Sequence, residues 1–138
     1  MAPDSKPLTI DKSVHALDVI LTNNGRTPAY QVIYWKDSVL SNKVEDDMDF
    51  SIPEKFEHST PMMLPSGGSA RAAFNEIPIN STQSDDLGRG DATVYYWGEV
   101  RYLDAFGKRH FTRFRFLLNI PRGGIEVCKE GNETDDSS

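Results

Sequence analysis

The sequence predicts an all-β protein: an immunoglobulin-like antiparallel β-sandwich, with a small β-barrel as the alternative. Three observations predict it. About six to eight short apolar runs are separated by turn-forming residues along the chain. None of them has the length and 3.6-residue period of a long amphipathic helix. The most apolar and most regular stretch, Thr93 to Asn119, alternates with a period of two on both sides of a tight turn at Asp104-Ala105-Phe106-Gly107-Lys108.

Size and composition fit one domain. A chain of 138 residues buries enough surface to fold without metal or disulfide. The net charge of -6 and a pI near 5.0 argue against nucleic acid, because phosphate calls for a cationic surface. Five acids against one base from Glu126 onward put -4 of that charge in the last segment and leave -2 for the rest. Cys128 is alone, so no intrachain disulfide is expected. No apolar run approaches the roughly 18 residues of a membrane span. The start, Met1-Ala2-Pro3-Asp4, lacks the basic and apolar parts of a signal peptide.

Taken in order, residues 1–7 read as a disordered lead and 8–132 as the domain. Val14 to Thr22 reads as a strand with Leu17, Val19 and Leu21 on one face. Asn23-Asn24-Gly25-Arg26-Thr27-Pro28 is a turn, because Asn-Gly takes positive φ at low cost and Pro28 lacks a donor. Ala29 to Val39 reads as the next strand, antiparallel to the first. Ser41 to Leu64 is irregular, broken by prolines, yet too apolar to float free. Parts of it belong on the core or on a sheet edge. A turn at Pro65 to Gly68 leads into a strand from Ser69 to Phe74, and Ile77 to Ile79 gives a short extended piece. Ser81 to Gly90 reads as one helical turn, with Thr82 and Asp85 as a capping box and Gly88 as the stop. From Pro121 the chain is expected to be irregular. Residues 133–138 are expected to be a disordered, dispensable acidic tail.

The hairpin register follows from the residues. Gly107 takes positive φ without strain, so Ala105-Phe106-Gly107 makes a three-residue loop with a G1 bulge, and Asp104 faces Lys108. Continuing outward pairs Glu99 with Arg113, Trp97 with Arg115 and Gly98 with Phe114. Opposite charges then meet, and the glycine leaves room for the phenylalanine ring. The Val94/Phe114 face should be buried, and Glu99, Arg101 and Arg113 at least partly wet.

Two groups of residues also resemble a known family. They are Asn24-Gly25-Arg26-Thr27-Pro28-Ala29-Tyr30, and Tyr96-Trp97-Gly98-Glu99-Val100-Arg101-Tyr102 with the turn and His110-Phe111-Thr112-Arg113-Phe114 that follow. The Cys128 to Asn132 ending fits as well. The chain resembles the C-terminal β-domain of an uncharacterised family of bacterial proteins in which hydrophobic membrane helices precede the domain. The resemblance implies a soluble domain of a membrane-anchored protein, reaching the membrane only through upstream helices absent from this chain. It carries no activity and no side of the membrane.

The chemistry-bearing residues offer little. His15, His58 and His110 sit on different elements without metal-ligand spacing, so no metal or other cofactor is expected. Asp104 and His110 are an acid–base pair in search of a nucleophile, but Ser66-Gly67-Gly68 is a plain turn, and no catalytic residue is assigned. Arg89-Gly90-Asp91 and the two Asn-x-Thr patterns at Asn80 and Asn132 are short enough to recur by chance. The expected function is a non-catalytic interaction or sensing domain with a protein partner or self-association. The alternative is a module for a sugar, nucleotide or anion on the face bearing Tyr95, Trp97, Arg101, Arg113 and Arg115, where rings stack and guanidinium groups attract charge. The blander expectation for Tyr95 and Trp97 is that they pack beneath residues 41–64 or against a second subunit. A hydrolase is the third and least supported reading.

Overall fold

The structure is a computed structural model, and it describes residues 13–14, 18–55, 60–75 and 77–135. The lead 1–7, Leu17, His15, Phe56, His58 and the end 136–138 lie outside the described residues.

The fold is an antiparallel β-sandwich whose sheets are not closed into a barrel. Its centre is the hairpin of β7 (Thr93–Leu103) and β8 (Arg109–Asn119). Every pair of the expected register is present, including Glu99↔Arg113, Trp97↔Arg115 and Gly98↔Phe114. Gly107 has φ 78°, and the Asp104 amide bonds the Lys108 carbonyl at 2.9 Å to close the three-residue loop.

On the other side of β7 lies β3 (Ala29–Ser41), paired from Ile33↔Arg101 to Ser41↔Thr93. Strand β4 (Met62–Leu64) then pairs with the start of β3. The first strand is not β3's neighbour as expected. It consists of β1 (Ser13–Val14) and β2 (Asp18–Thr22), and β2 pairs with β5 (Ser69–Ala73) in the second layer. Strand β1 pairs with β6 (Ile77–Pro78). Sequential adjacency suggested the β2–β3 pair, but the Asn23 turn lets the chain cross between layers instead.

The helix is longer than one turn. It is α1 (Ser81–Arg89), capped by Asn80, whose side chain accepts from the Gln83 amide while Gln83 accepts from the Asn80 amide. The box therefore lies two residues before Thr82, and Gly90 (φ 83°), not Gly88, ends the helix.

The C-terminal segment is also more ordered than the sequence suggested. Strand β9 (Gly124–Val127) pairs with the end of β8, and β10 (Glu133–Thr134) with its beginning, through Glu133↔Arg113 and Thr134↔Thr112. The tail is held by polar groups, which hydropathy does not reveal. The Asn132 amide bridges both backbone groups of Arg115, and the Asp135 carboxylate accepts from the Phe111 amide.

Two clusters cover the two faces of β7. Val94, Tyr96, Val100, Phe114 and Leu118 form the inner core with Phe74, Leu87 and the second layer. Burial pushes the Tyr96 phenol up to about 12. Tyr95, Trp97, Leu117 and Cys128 form the outer cluster, with Met48, Phe50 and Ile52 packed against it.

Candidate functional site

The aromatic pair expected to stack a ligand on the outer face is covered. Tyr95 is 2% and Trp97 7% exposed. The strap of residues 43–54 crosses them, fixed by Tyr95 Oη donating to the Lys43 carbonyl (2.7 Å) and Trp97 Nε1 to the Ser51 carbonyl (3.2 Å). Phe50 meets both rings edge-on, and the Arg115 guanidinium lies 4.0 Å over Phe50. The stacking platform is thus a packed cluster, and the packing of these rings beneath residues 41–64 is what the structure shows.

The arginines are engaged as well. Glu99 is 2% exposed, against the expectation that it is partly wet. It accepts from Arg101 Nε and from Arg113 Nε (2.7 Å). Arg101 also donates to the Glu54 carbonyl, and Arg113 to Glu133. A buried carboxylate requires such partners. The two guanidinium groups answer Glu99 and hold the strap and β10 to the sheet. The five residues Tyr95, Trp97, Arg101, Arg113 and Arg115 share one face, as expected, but they form a structural network there.

An open space lies on the inner face, at the end where the two layers part. A cleft of about 1030 Å³ is walled by Val19 and Leu21 of β2, Val32 of β3, Val100 of β7 and Phe114 of β8. Its mouth carries the two stretches singled out in the sequence, the Asn23 to Pro28 turn on one side and the Asp104 to His110 turn on the other.

Each lip is built by one side chain. Asn23 donates to the carbonyls of Thr27 (2.9 Å) and Leu64 (3.0 Å) and accepts from the Gly25 amide. Its backbone exchanges hydrogen bonds with Gly67 and Gly68, so the turn is seated on the β4–β5 connection. Opposite, Asp104 accepts from the Phe106 and Lys108 amides and pairs with His110 Nε2 at 2.7 Å. Those bonds, His110's first, hold the Asp104 carboxyl below its ordinary range. His110 stacks on Tyr102 (5.2 Å, 19°) and turns Nδ1 toward Asp135 at 3.5 Å. Between the lips, β3 bulges at Ala29 to Ile33, where Gln31 takes φ 49°.

The chemistry of the cleft follows from this partnering. Asn23, Asp104 and His110 bond within their own lips, and Thr112 bonds Thr134 at 3.1 Å. Among the described residues no buried side-chain nitrogen or oxygen lacks a partner. Both nitrogens of His110 face carboxylates, so neither is aimed at the cleft as a base. Among the described residues no three His, Cys, Asp or Glu side chains are grouped to hold a metal ion. Cys128 is buried on the opposite face, with its thiol pushed up to about 12 by burial and then by Glu45. What the cleft offers an occupant is chiefly apolar wall, with Thr22, Asn24 and Thr27 in its polar lining. Sequence reasoning missed it, because its lining comes from six strands. The only available signal was that two turn-rich stretches stood out.

Compared with protein-family models, curated proteins and solved structures, the chain matches none.

Proposed function

We propose that this chain is a non-catalytic interaction domain that receives apolar side chains of a protein partner in its inter-sheet cleft. The observation that carries this reading is the meeting of two distant, turn-rich stretches at the mouth of one apolar cleft. The side chains of Asn23 on one side and of Asp104 and His110 on the other are already bonded within or beside their own lip. A sugar, nucleotide or anion needs unengaged donors or cations, whereas an apolar group needs wall area. Each lip is tied by its own hydrogen bonds, which lowers the ordering entropy that opposes entry.

The same proposal places the domain at the C-terminus of a longer, membrane-anchored bacterial protein. That part is supported by the resemblance of the NGRTPAY and YWGEVRY stretches alone. Among the described residues no helix is long and apolar enough to cross a membrane. Fractionation of the full-length gene product tests the anchoring.

The cleft is tested with N-acetyl-phenylalanine amide as a neutral stand-in for a partner side chain. A ligand at about ten times its dissociation constant stabilises by about 1.4 kcal/mol. The melting temperature of the wild type should rise accordingly, while Thr112→Trp, which fills the cleft from a half-buried position, should not respond. Stabilisation by glucose, AMP or sulfate instead, or an equal response in Thr112→Trp, contradicts the reading.

A further inference from the structure

Asn24 is the one asparagine of this chain that a glycine follows. It is exposed in the Asn23 to Pro28 turn, in the lining of the cleft mouth. The side chains of Asn23, Asn80, Asn119 and Asn132 are all bonded to backbone groups. Among the described residues no hydrogen bond holds the side chain of Asn24. The backbone nitrogen that follows an asparagine can attack the side-chain carbonyl carbon, and glycine leaves that approach open because it carries no Cβ.

We propose that Asn24 is a site of self-modification, in which the Gly25 nitrogen displaces the side-chain amide. The Gly25 N–H proton is lost to base. A bond forms from the Gly25 nitrogen to Asn24 Cγ, the Cγ–Nδ2 bond breaks, and the amide nitrogen takes up a proton and leaves as ammonia. A cyclic imide remains, which water opens at either of its carbonyl carbons. Opening at Cγ restores the main chain with aspartate at position 24. Opening at the main-chain carbon routes the chain through the side chain as isoaspartate. Water enters, ammonia leaves, and nothing is oxidised or reduced. Either product sets a new carboxylate at the lip, and isoaspartate also lengthens the turn by a carbon.

The turn sets the pace of this reaction. The Gly25 N–H donates to Asn23 Oδ1 at 2.9 Å, a bond that must break before the nitrogen can attack. The Gly25 carbonyl accepts from Ser66 Oγ at 2.5 Å. Gly25 is thus gripped at its nitrogen and at its carbonyl. The grip is itself anchored, since Asn23 Nδ2 donates to the Thr27 and Leu64 carbonyls. Asn23 therefore guards its neighbour as well as building the lip, and conversion of Asn24 counts how often the turn opens.

The test incubates the whole chain at mildly alkaline pH and follows each asparagine by peptide mass spectrometry, with aspartate and isoaspartate separated by elution. In the wild type Asn24 should convert before any other asparagine, to a mixture of both products. Gly25→Ala should slow the conversion. Asn23→Ala and Ser66→Ala should each quicken it about fivefold, the factor set by one net hydrogen bond of ordinary strength. Tryptophan fluorescence checks that each variant is folded, and Ser66→Ala, from another turn, serves where Asn23→Ala is not. In urea, where the turn is lost, wild type, Asn23→Ala and Ser66→Ala should convert at one common rate, faster than the folded wild type. Earlier conversion of another asparagine, aspartate without isoaspartate, indifference to Gly25→Ala, equal rates in the folded wild type and the two quickened variants, or a gap between them that persists in urea would each overturn the proposal.

Discussion

Glu99→Ala is the most informative single change to the fold. The carboxylate is 2% exposed and accepts from two guanidinium groups. Hydrogen bonds to charged groups contribute about 1.5–3 kcal/mol each. Removing one member of a buried ion pair costs about 3–5 kcal/mol when the other charge stays buried. Here the arginine side chains are 36% and 41% exposed and can rehydrate, so the expected loss is smaller, about 2–4 kcal/mol. For a chain of this length that corresponds to a melting temperature lower by about 8–15 °C. Urea unfolding should show a lower midpoint at constant slope. A second effect distinguishes the network from a lone ion pair. Arg101 reaches the Glu54 carbonyl and Arg113 reaches Glu133, so exchange should accelerate both in the strap and in β10. A loss below about 0.5 kcal/mol, the level of ordinary surface changes, would refute the reasoning. So would acceleration in only one of the two segments.

Three further outcomes are expected. A Cβ on Gly98 would lie 2.3 Å from the Trp35 carbonyl and 2.6 Å from the Phe114 ring, so Gly98→Ala should cost at least about 1–3 kcal/mol by denaturant unfolding; a neutral result would mean that β3 and β7 are not so closely apposed. Ending the chain after Asn132 removes the Glu133, Thr134 and Asp135 bonds to β8 and should cost about 1–2 kcal/mol, since each net bond contributes little at a surface; unchanged stability would show that β10 adds nothing. The Asp104 carboxyl is held below its unfolded value of 3.8, chiefly by its bond to His110, so its contribution is present above that pH and is lost as pH falls through the lower folded value. Wild type and Asp104→Asn should therefore converge in stability in acid, and a constant gap down to the lowest pH would contradict the assignment.

The sequence was most legible where local chemistry and pattern agreed. Gly107, the Glu99 and Arg113 charges and the period of two all pointed to one hairpin register, and a slip of one residue would have reversed every side chain. The layer crossing at Asn23 was not legible, because the pairing of β2 with β5 is decided by tertiary packing and not by the turn. Thr82 and Asp85 matched a capping pattern as well as Asn80 and Gln83 did, and it is the latter pair that makes the two reciprocal bonds. Strand β10 was hidden because Asn132, Thr134 and Asp135 hold it through hydrogen bonds, to which hydropathy is blind. Alternation told that Tyr95 and Trp97 share a face, but not that Phe50 and Ile52 would cover it. Glu99 looked wet for the same reason. Its acidity was visible, and the two arginines and the strap that enclose it were not.

The most direct test of the cleft is an amide chemical-shift titration with N-acetyl-phenylalanine amide. The largest changes should fall on Leu21, Val32, Val100 and His110, which come from four different strands and meet only at the cleft. Changes centred on Tyr95, Trp97 and Arg113, or spread evenly over the surface, would contradict an apolar binding site between the sheets.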